Sequence, residues 1–211
     1  MLWADMIPKG PSPVTHTAEG DATTSVISTR RGLLGASFAG AALSLIAGHS
    51  ASASTGERVS DSDLALLLFA QSLELAARDL YEAAGAAGAD DPVFGVLADQ
   101  HEAYAQGIAA FIGEPADTRD DGVFDSLEST FAVSDRIAVA TAGYDLESAA
   151  VATHTELLAR LENVDAAKLI ASILAMEARQ CAVLADMSGR GDDLNVLLVN
   201  TADPILPEEL S

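Results

Sequence analysis

One stretch limits the possible folds more than any other: Ile173-Leu174-Ala175-Met176-Glu177-Ala178-Arg179-Gln180-Cys181-Ala182-Val183-Leu184. Read at helical period, one face of it carries Ile170, Ile173, Leu174, Glu177, Gln180, Cys181 and Leu184. That face is apolar except at its centre, where a glutamate and a glutamine sit three residues apart. A carboxylate in such a place is costly unless something pairs with it or coordinates it. The chain must therefore fold so that other segments bring partners to Glu177.

Three upstream segments have the same character. Ser60-Asp61-Ser62-Asp63 is a Ser-x-x-Asp start signal, and the helix it opens runs to about Ala84, with Gly85 as the stop. Its inward face holds Leu67, Ala70, Gln71, Glu74, Ala77 and Tyr81. Asp91-Pro92 opens a second helix that ends at Ile112 before Gly113, with Phe94, Leu97, Ala98, His101, Ala105 and Ile108 facing inward. A polar connection with Pro115 follows, then a short helix over Phe124 to Phe131. Ser134-Asp135 caps a third long helix to about Leu161, with inward residues Ala140, Tyr144, Glu147, Val151, His154 and Leu158. The fourth runs from Val164 or Asp165 to Met187, with Gly189 beyond. The connections are short, long, short, so the expected fold is all-α: a four-helix bundle of two antiparallel hairpins joined by a long crossover. An extended C-terminal tail covers 190–211, and its apolar run Leu194 to Val199 is expected to pack across the bundle or against a neighbour. Few aromatics, at 5%, agree with a helical rather than a sheet protein.

The polar residues on these faces repeat between the hairpins. Glu74 is followed seven residues later by Tyr81, and Glu147 seven residues later by His154, so each pair shares a helix face. Ala98 and His101 are three apart on the second helix, as Glu177 and Gln180 are on the fourth. In Leu73-Glu74…Tyr81, Asp99-Gln100-His101, Glu147…His154 and Met176-Glu177-Ala178-Arg179-Gln180 the chain resembles the ferritin-like superfamily, and looks closest to its exported bacterial ferritin-like domains. The resemblance implies a ferritin-like bundle over residues 54–189, with Glu74 and Glu147 at the terminal carboxylate positions of a di-iron centre. It places Glu177 at one bridging carboxylate and His101 at one histidine. Ala98 and Gln180 depart from the pattern, standing where the second bridging glutamate and the second histidine belong.

The departures argue against a di-iron ferroxidase, because two metals need bridging carboxylates to offset charge and fix their separation. Two readings remain. In the first, one metal ion is held by Glu147, Glu177 and His101, with Glu74 or His154 completing the sphere. Ligands rich in carboxylate and poor in histidine suit iron, manganese or zinc. In the second, the bundle is metal-free, with a structural or interaction role in the cell envelope, and protein groups satisfy the glutamates. Arg78, four residues after Glu74, pairs with it in that reading, and His101 and His154 pair with Glu147 or Glu177. One glutamate stays protonated, and Tyr81 and Tyr144 donate hydrogen bonds to the cluster, although Tyr81 alone reads more simply as core packing. Cys181, the single cysteine, excludes an internal disulfide and a cysteine-based zinc site and reads as a buried thiol.

The first 53 residues read as an export signal. Arg30-Arg31 lead into an apolar run, Leu33 to Ala47, too short for the ~20 residues of a spanning helix. Ala51-Ser52-Ala53 follows as a cleavage signal, and the arginine pair resembles a twin-arginine signal. That route carries folded proteins, often with a cofactor already loaded. The expected location is outside the cytoplasm, and the mature chain is expected to have no spanning helix. The removed part balances three basic residues (Lys9, Arg30, Arg31) against three acidic ones (Asp5, Glu19, Asp21), so the whole net charge of −21 belongs to the mature domain. No basic stripe exists to neutralise phosphates, which argues against nucleic acid as a partner. A cell-envelope partner, and a homodimer through an apolar outer stripe, are the partners the sequence allows. The acidic pairs Asp120-Asp121 and Asp192-Asp193 read as solvated loop charge.

Overall fold

A computed structural model of the chain describes residues 59–207. The export signal falls on residues outside that range. Among the described residues the regular elements are helices: α1 (Asp61–Ala86), α2 (Pro92–Ile112), α3 (Asp121–Phe131), α4 (Arg136–Arg160), α5 (Val164–Met187) and α6 (Leu194–Leu198). Helices α1 and α2 form one tightly packed hairpin and α4 and α5 the other, while α3 lies in the crossover against α1 and α4. None of these helices is long and apolar enough to cross a membrane.

The helix ends follow from side-chain caps that the sequence carries. Asp91, Asp120, Asp135, Asn163 and Asp193 each accept a backbone N–H of the first turn that follows. Asp120 and Asp193, read above as loop charge, are thus helix caps, and Asp121 pairs with Arg119 at 2.7 Å. Gly113 and Gly189 close α2 and α5 at φ 80° and 77°, where a Cβ would be strained. α1 runs through Gly85 to Ala86, and the left-handed turn falls on Gly88, at φ 92°.

The start of α1 differs from its sequence reading. Ser60 Oγ accepts from Asp63 N at 3.1 Å, as a cap should. The Asp63 carboxylate does not turn back to the cap. It reaches the α4–α5 connection, accepting from Glu162 N at 3.0 Å and Asn163 N at 2.7 Å. Asp63 is buried, so these two bonds latch the second hairpin to the base of the first. Asp63→Ala leaves both amides without partners and is expected to destabilise the fold by about 3 kcal/mol in urea unfolding. A loss under about 0.5 kcal/mol would show that the latch contributes nothing.

The tail folds back on α4. Its apolar run forms the short helix α6 rather than an extended segment, with Leu194 and Leu198 exposed. Tyr144 Oη donates to Val196 O at 2.7 Å, Asn200 Nδ2 to Ser148 O at 2.8 Å, and Ile205 N to Thr153 Oγ1 at 2.8 Å.

The apolar core is in two parts. One gathers Tyr81, Phe94, Leu97, Ala98, Phe131 and Leu184; the other gathers Leu67, Tyr104, Ile108, Leu157, Ile170 and Ile173. Along every long helix, the residues between the two parts are Glu74, His101, Glu147 with His154, and Glu177. The bundle therefore places a layer of buried ionisable groups at mid-height between two apolar layers.

Candidate metal centre

All five residues singled out in the sequence come together in this layer, and each is at most 2% exposed. His101 bridges two helices: Nδ1 lies 2.7 Å from Glu74 Oε2 and Nε2 lies 3.0 Å from Glu147 Oε1. His154 Nδ1 lies 2.7 Å from Glu177 Oε2, and its Nε2 faces Glu74 Oε1 at 3.4 Å. Tyr81 Oη donates to Glu147 Oε1 at 2.6 Å, so Tyr81 is part of the polar network and does more than fill the core. The layer is thus one connected set reaching across α1, α2, α4 and α5.

Other pairings inferred from sequence fall elsewhere. Arg78 does not meet Glu74; it pairs with Asp79 and with Glu102 on α2. Its guanidinium stays partly exposed there, whereas Glu74 lies in the bundle interior. Tyr144 donates to the tail instead of the cluster. On α4 the buried stripe includes Gly143, Leu146 and Thr153, while Tyr144, Val151 and Leu158 are only half-buried. Cys181 is half-buried, with Sγ 3.7 Å from Ser148 Oγ, and burial raises its pKa to about 12, which leaves a protonated, unreactive thiol.

The two departures from the ligand pattern have structural uses. Ala98 is packed in the apolar cluster with Tyr81 and Phe94. Gln180 donates to Gln100 Oε1 at 2.6 Å and approaches Tyr104 Oη at 3.4 Å, clamping α5 to α2. Nothing in the sequence marks Gln100 or Tyr104 as a partner of position 180, because both are ordinary helix residues and only the packing of α5 brings Gln180 to them. The imidazole missing at position 180 is offset by His154, which α4 brings against Glu177.

Gly143 explains how Tyr81 reaches Glu147. A Cβ at this position would lie 2.9 Å from Tyr81 Oη and 3.2 Å from Leu184 Cδ2. Alanine is favoured over glycine by ~1 kcal/mol inside a helix. Here the order reverses: Gly143→Ala is expected to lower stability by about 1–3 kcal/mol by pushing the phenol away from Glu147. Equal or higher stability on thermal unfolding would contradict the close approach.

Charge in this layer is shared through the histidines. Burial raises the pKa of Glu74, and the bond from His101 only partly offsets it. Burial pulls His101 down, but Glu147 and Glu74 outweigh it and hold the imidazole well above its ordinary range. Burial likewise opposes the proton on His154, yet the Glu177 charge and hydrogen bond lift it to about 9. Burial and the neighbouring Glu147 raise Tyr81 well above the ordinary phenol range, so it remains a donor.

A raised histidine pKa stabilises the fold below the unfolded value and loses that contribution as pH climbs through the folded one. For His154 the window runs from 6.5 to about 9. Chelator-treated protein is therefore expected to lose on the order of 3 kcal/mol between about pH 6 and about pH 9.5. Glu74, also raised, acts with the same sign at lower pH. Urea unfolding at the two pH values reads the effect, and equal stability at both would contradict protonated histidines in the folded state.

The layer also holds atoms without a hydrogen-bond partner. Glu177 Oε1, His154 Nε2 and Glu147 Oε2 are buried and make no hydrogen bond, although Nε2 keeps its 3.4 Å ion-pair approach to Glu74 Oε1. Glu74, His154 and Glu177 offer ligand atoms that all lie within 4.8 Å of one another. A cavity of about 20 Å³ opens beside them, lined by Glu74, His101, His154 and Glu177 with Val123, Leu146 and Ile205. That is enough for one water-sized species. Two carboxylates and an imidazole this close together, with buried atoms that make no hydrogen bond, fit a single divalent cation.

Comparison with known families matches residues 62–190, more than half of the chain, to the model of the ferritin-like domain. No curated protein and no solved structure matches.

Proposed function

We propose a function from one premise: the chain belongs to the ferritin-like domain family. In this reading it binds one metal ion at mid-height in the bundle, held by Glu74, His154 and Glu177. His101 and Glu147 stand behind these ligands, orienting Glu74 and tying the layer to Tyr81. The observation that carries the reading is the pair of buried atoms that make no hydrogen bond, Glu177 Oε1 and His154 Nε2, within a group whose ligand atoms lie within 4.8 Å of one another. A group of two carboxylates and one imidazole suits iron, manganese or zinc. When bound, such an ion supplies Lewis acidity and, for iron or manganese, one-electron chemistry. A second metal is not part of the proposal, because Ala98 offers no donor and Gln180 offers only a neutral amide oxygen in place of an imidazole.

The protein's own groups would set the conditions for binding. His154 keeps Nδ1 against Glu177 Oε2, so Nε2 would be the ligand nitrogen once the ion displaces its proton. The apolar layers above and below exclude bulk water, so uncompensated carboxylates favour a cation there. The export reading joins this proposal: a chain carried folded by a twin-arginine route would acquire its ion before crossing the membrane, and would act outside the cytoplasm.

The second reading is a metal-free bundle of the cell envelope, and one observation favours it. His101 and His154 already place a hydrogen bond on each of the three carboxylates. Metal analysis of the full chain purified without chelator decides between them. About one equivalent of metal per chain is expected. Metal-free protein that takes up neither iron, manganese nor zinc at micromolar concentration would establish the second reading.

A further inference from the structure

The number of donor atoms in the buried layer limits which ion it can take. Glu74 Oε2 lies 2.7 Å from His101 Nδ1, and Glu177 Oε2 lies 2.7 Å from His154 Nδ1. Each carboxylate therefore has one oxygen, Oε1, left to give, and a bidentate grip on an ion would cost a buried hydrogen bond. His154 has one nitrogen to give, Nε2, which lies 3.4 Å from Glu74 Oε1. His101 has none, since its other nitrogen, Nε2, lies 3.0 Å from Glu147 Oε1. Glu147 itself stands outside the group whose ligand atoms lie within 4.8 Å of one another. The protein thus offers three donor atoms, one from each of Glu74, His154 and Glu177.

Water can add little to that count. The cavity beside the three residues has a volume of about 20 Å³, room for one water molecule. The rest of its wall is aliphatic: Leu73 and Ala77 of α1, Val123 of α3, Leu146 and Ala150 of α4, and Ile205 of the tail. None of these side chains carries an oxygen or nitrogen, so the wall supplies neither a further ligand nor a partner for a second water.

We infer that the site is built for a four-coordinate ion and that its metal is zinc, held by Glu74, His154, Glu177 and one water. The inference rests on the metal reading proposed above and narrows it. Zinc is satisfied by four ligands, commonly three side chains and a water. Manganese(II) among oxygen ligands takes six, and iron(II) held by three side chains keeps further positions open. Either would need about two more waters, each with a share of ~30 Å³, in a space that holds one. The same space admits no organic substrate beside the ion, so the zinc is retained as a structural or stored metal and is not presented to a reaction.

Cobalt(II) reads the coordination number in the full chain after chelator has stripped it of metal. The intense visible bands of four-coordinate cobalt are expected. The weak bands of six-coordinate cobalt overturn the inference and keep the metal reading. Zinc outranks manganese at most sites of this donor type, so its preference alone decides nothing. A variant does. Ile205→Ala takes a half-buried side chain out of the aliphatic wall and makes room for water. In competition titration it is expected to lower the preference for zinc over manganese at least about tenfold, and to weaken the cobalt bands. Thermal unfolding of the stripped protein is expected to change little. Leu198→Glu, on the exposed face of α6 and outside the cavity lining, is expected to alter neither preference nor bands. A preference that Ile205→Ala leaves intact, or that Leu198→Glu lowers equally, overturns the inference. Protein that binds neither cobalt, zinc nor manganese overturns the metal reading and this inference together.

Discussion

His101→Leu is expected to be the most destabilising single substitution in the chain, at about 3–5 kcal/mol for chelator-treated protein. The histidine is 1% exposed and holds Glu74 of α1 and Glu147 of α4 from its place on α2. Removing it leaves two buried carboxylates facing each other without their shared cation. Leucine fills a similar volume, so a cavity cannot account for the loss. The partner substitutions make the argument specific. Adding Glu74→Gln and Glu147→Gln to His101→Leu removes the stranded charges and is expected to recover about half of the loss. A single-variant loss under about 1 kcal/mol would mean that these groups are not a charged network. No recovery in the triple variant would assign the loss to packing around Tyr81 and Tyr104, whose rings contact His101 at 5.7 and 5.8 Å between centroids.

Glu177→Ala is expected to reduce metal affinity by at least 100-fold, the largest effect of any substitution on binding. Glu177 supplies an unpartnered oxygen to the group and also holds the His154 ring, so its loss removes one ligand and loosens another. Glu147→Gln is expected to cost only about tenfold, because Glu147 lies outside the three-residue group and acts on it through His101. Isothermal titration with manganese(II) or zinc(II) on chelator-stripped protein compares the two. If Glu147→Gln is the more damaging, the ion is held by Glu147, Glu177 and His101, the set first inferred from the sequence. If both variants bind as the parent does, the metal lies elsewhere.

These two sets show where reading the sequence stops. Periodicity placed Glu74, His101, Glu147, His154 and Glu177 on inward faces, because each sits within an apolar stripe of 3.6-residue repeat. It could not rank them as ligands. Which carboxylate lies close enough to share an ion depends on how the hairpins meet: Tyr81 and His101 both bond Oε1 of Glu147, and the three residues that come together are Glu74, His154 and Glu177. The choice between Glu74 and His154 as completing ligands has the same origin, since both lie near Glu177 once α1 and α4 are packed.

The helices themselves were legible for a local reason. Asp91-Pro92, Asp135 and Asn163 act within one turn of their own positions, so their capping needs no tertiary contact. Asp63 shows the limit of that reasoning. Its spacing after Ser60 signals a capping box, but its carboxylate serves amides about a hundred residues away. Arg78 likewise stands four residues from Glu74, yet α2 offers it Glu102 at a more exposed position where its charge keeps water. By itself, the sequence determined four long helices, their caps and the mid-height level of the ionisable residues. The tertiary structure decided which of those residues neutralise one another, which atoms are left for a cation, and how small a cavity the tail and crossover leave beside them. Capping and periodicity act over a few residues, whereas pairing, desolvation and cavity shape depend on how distant helices pack.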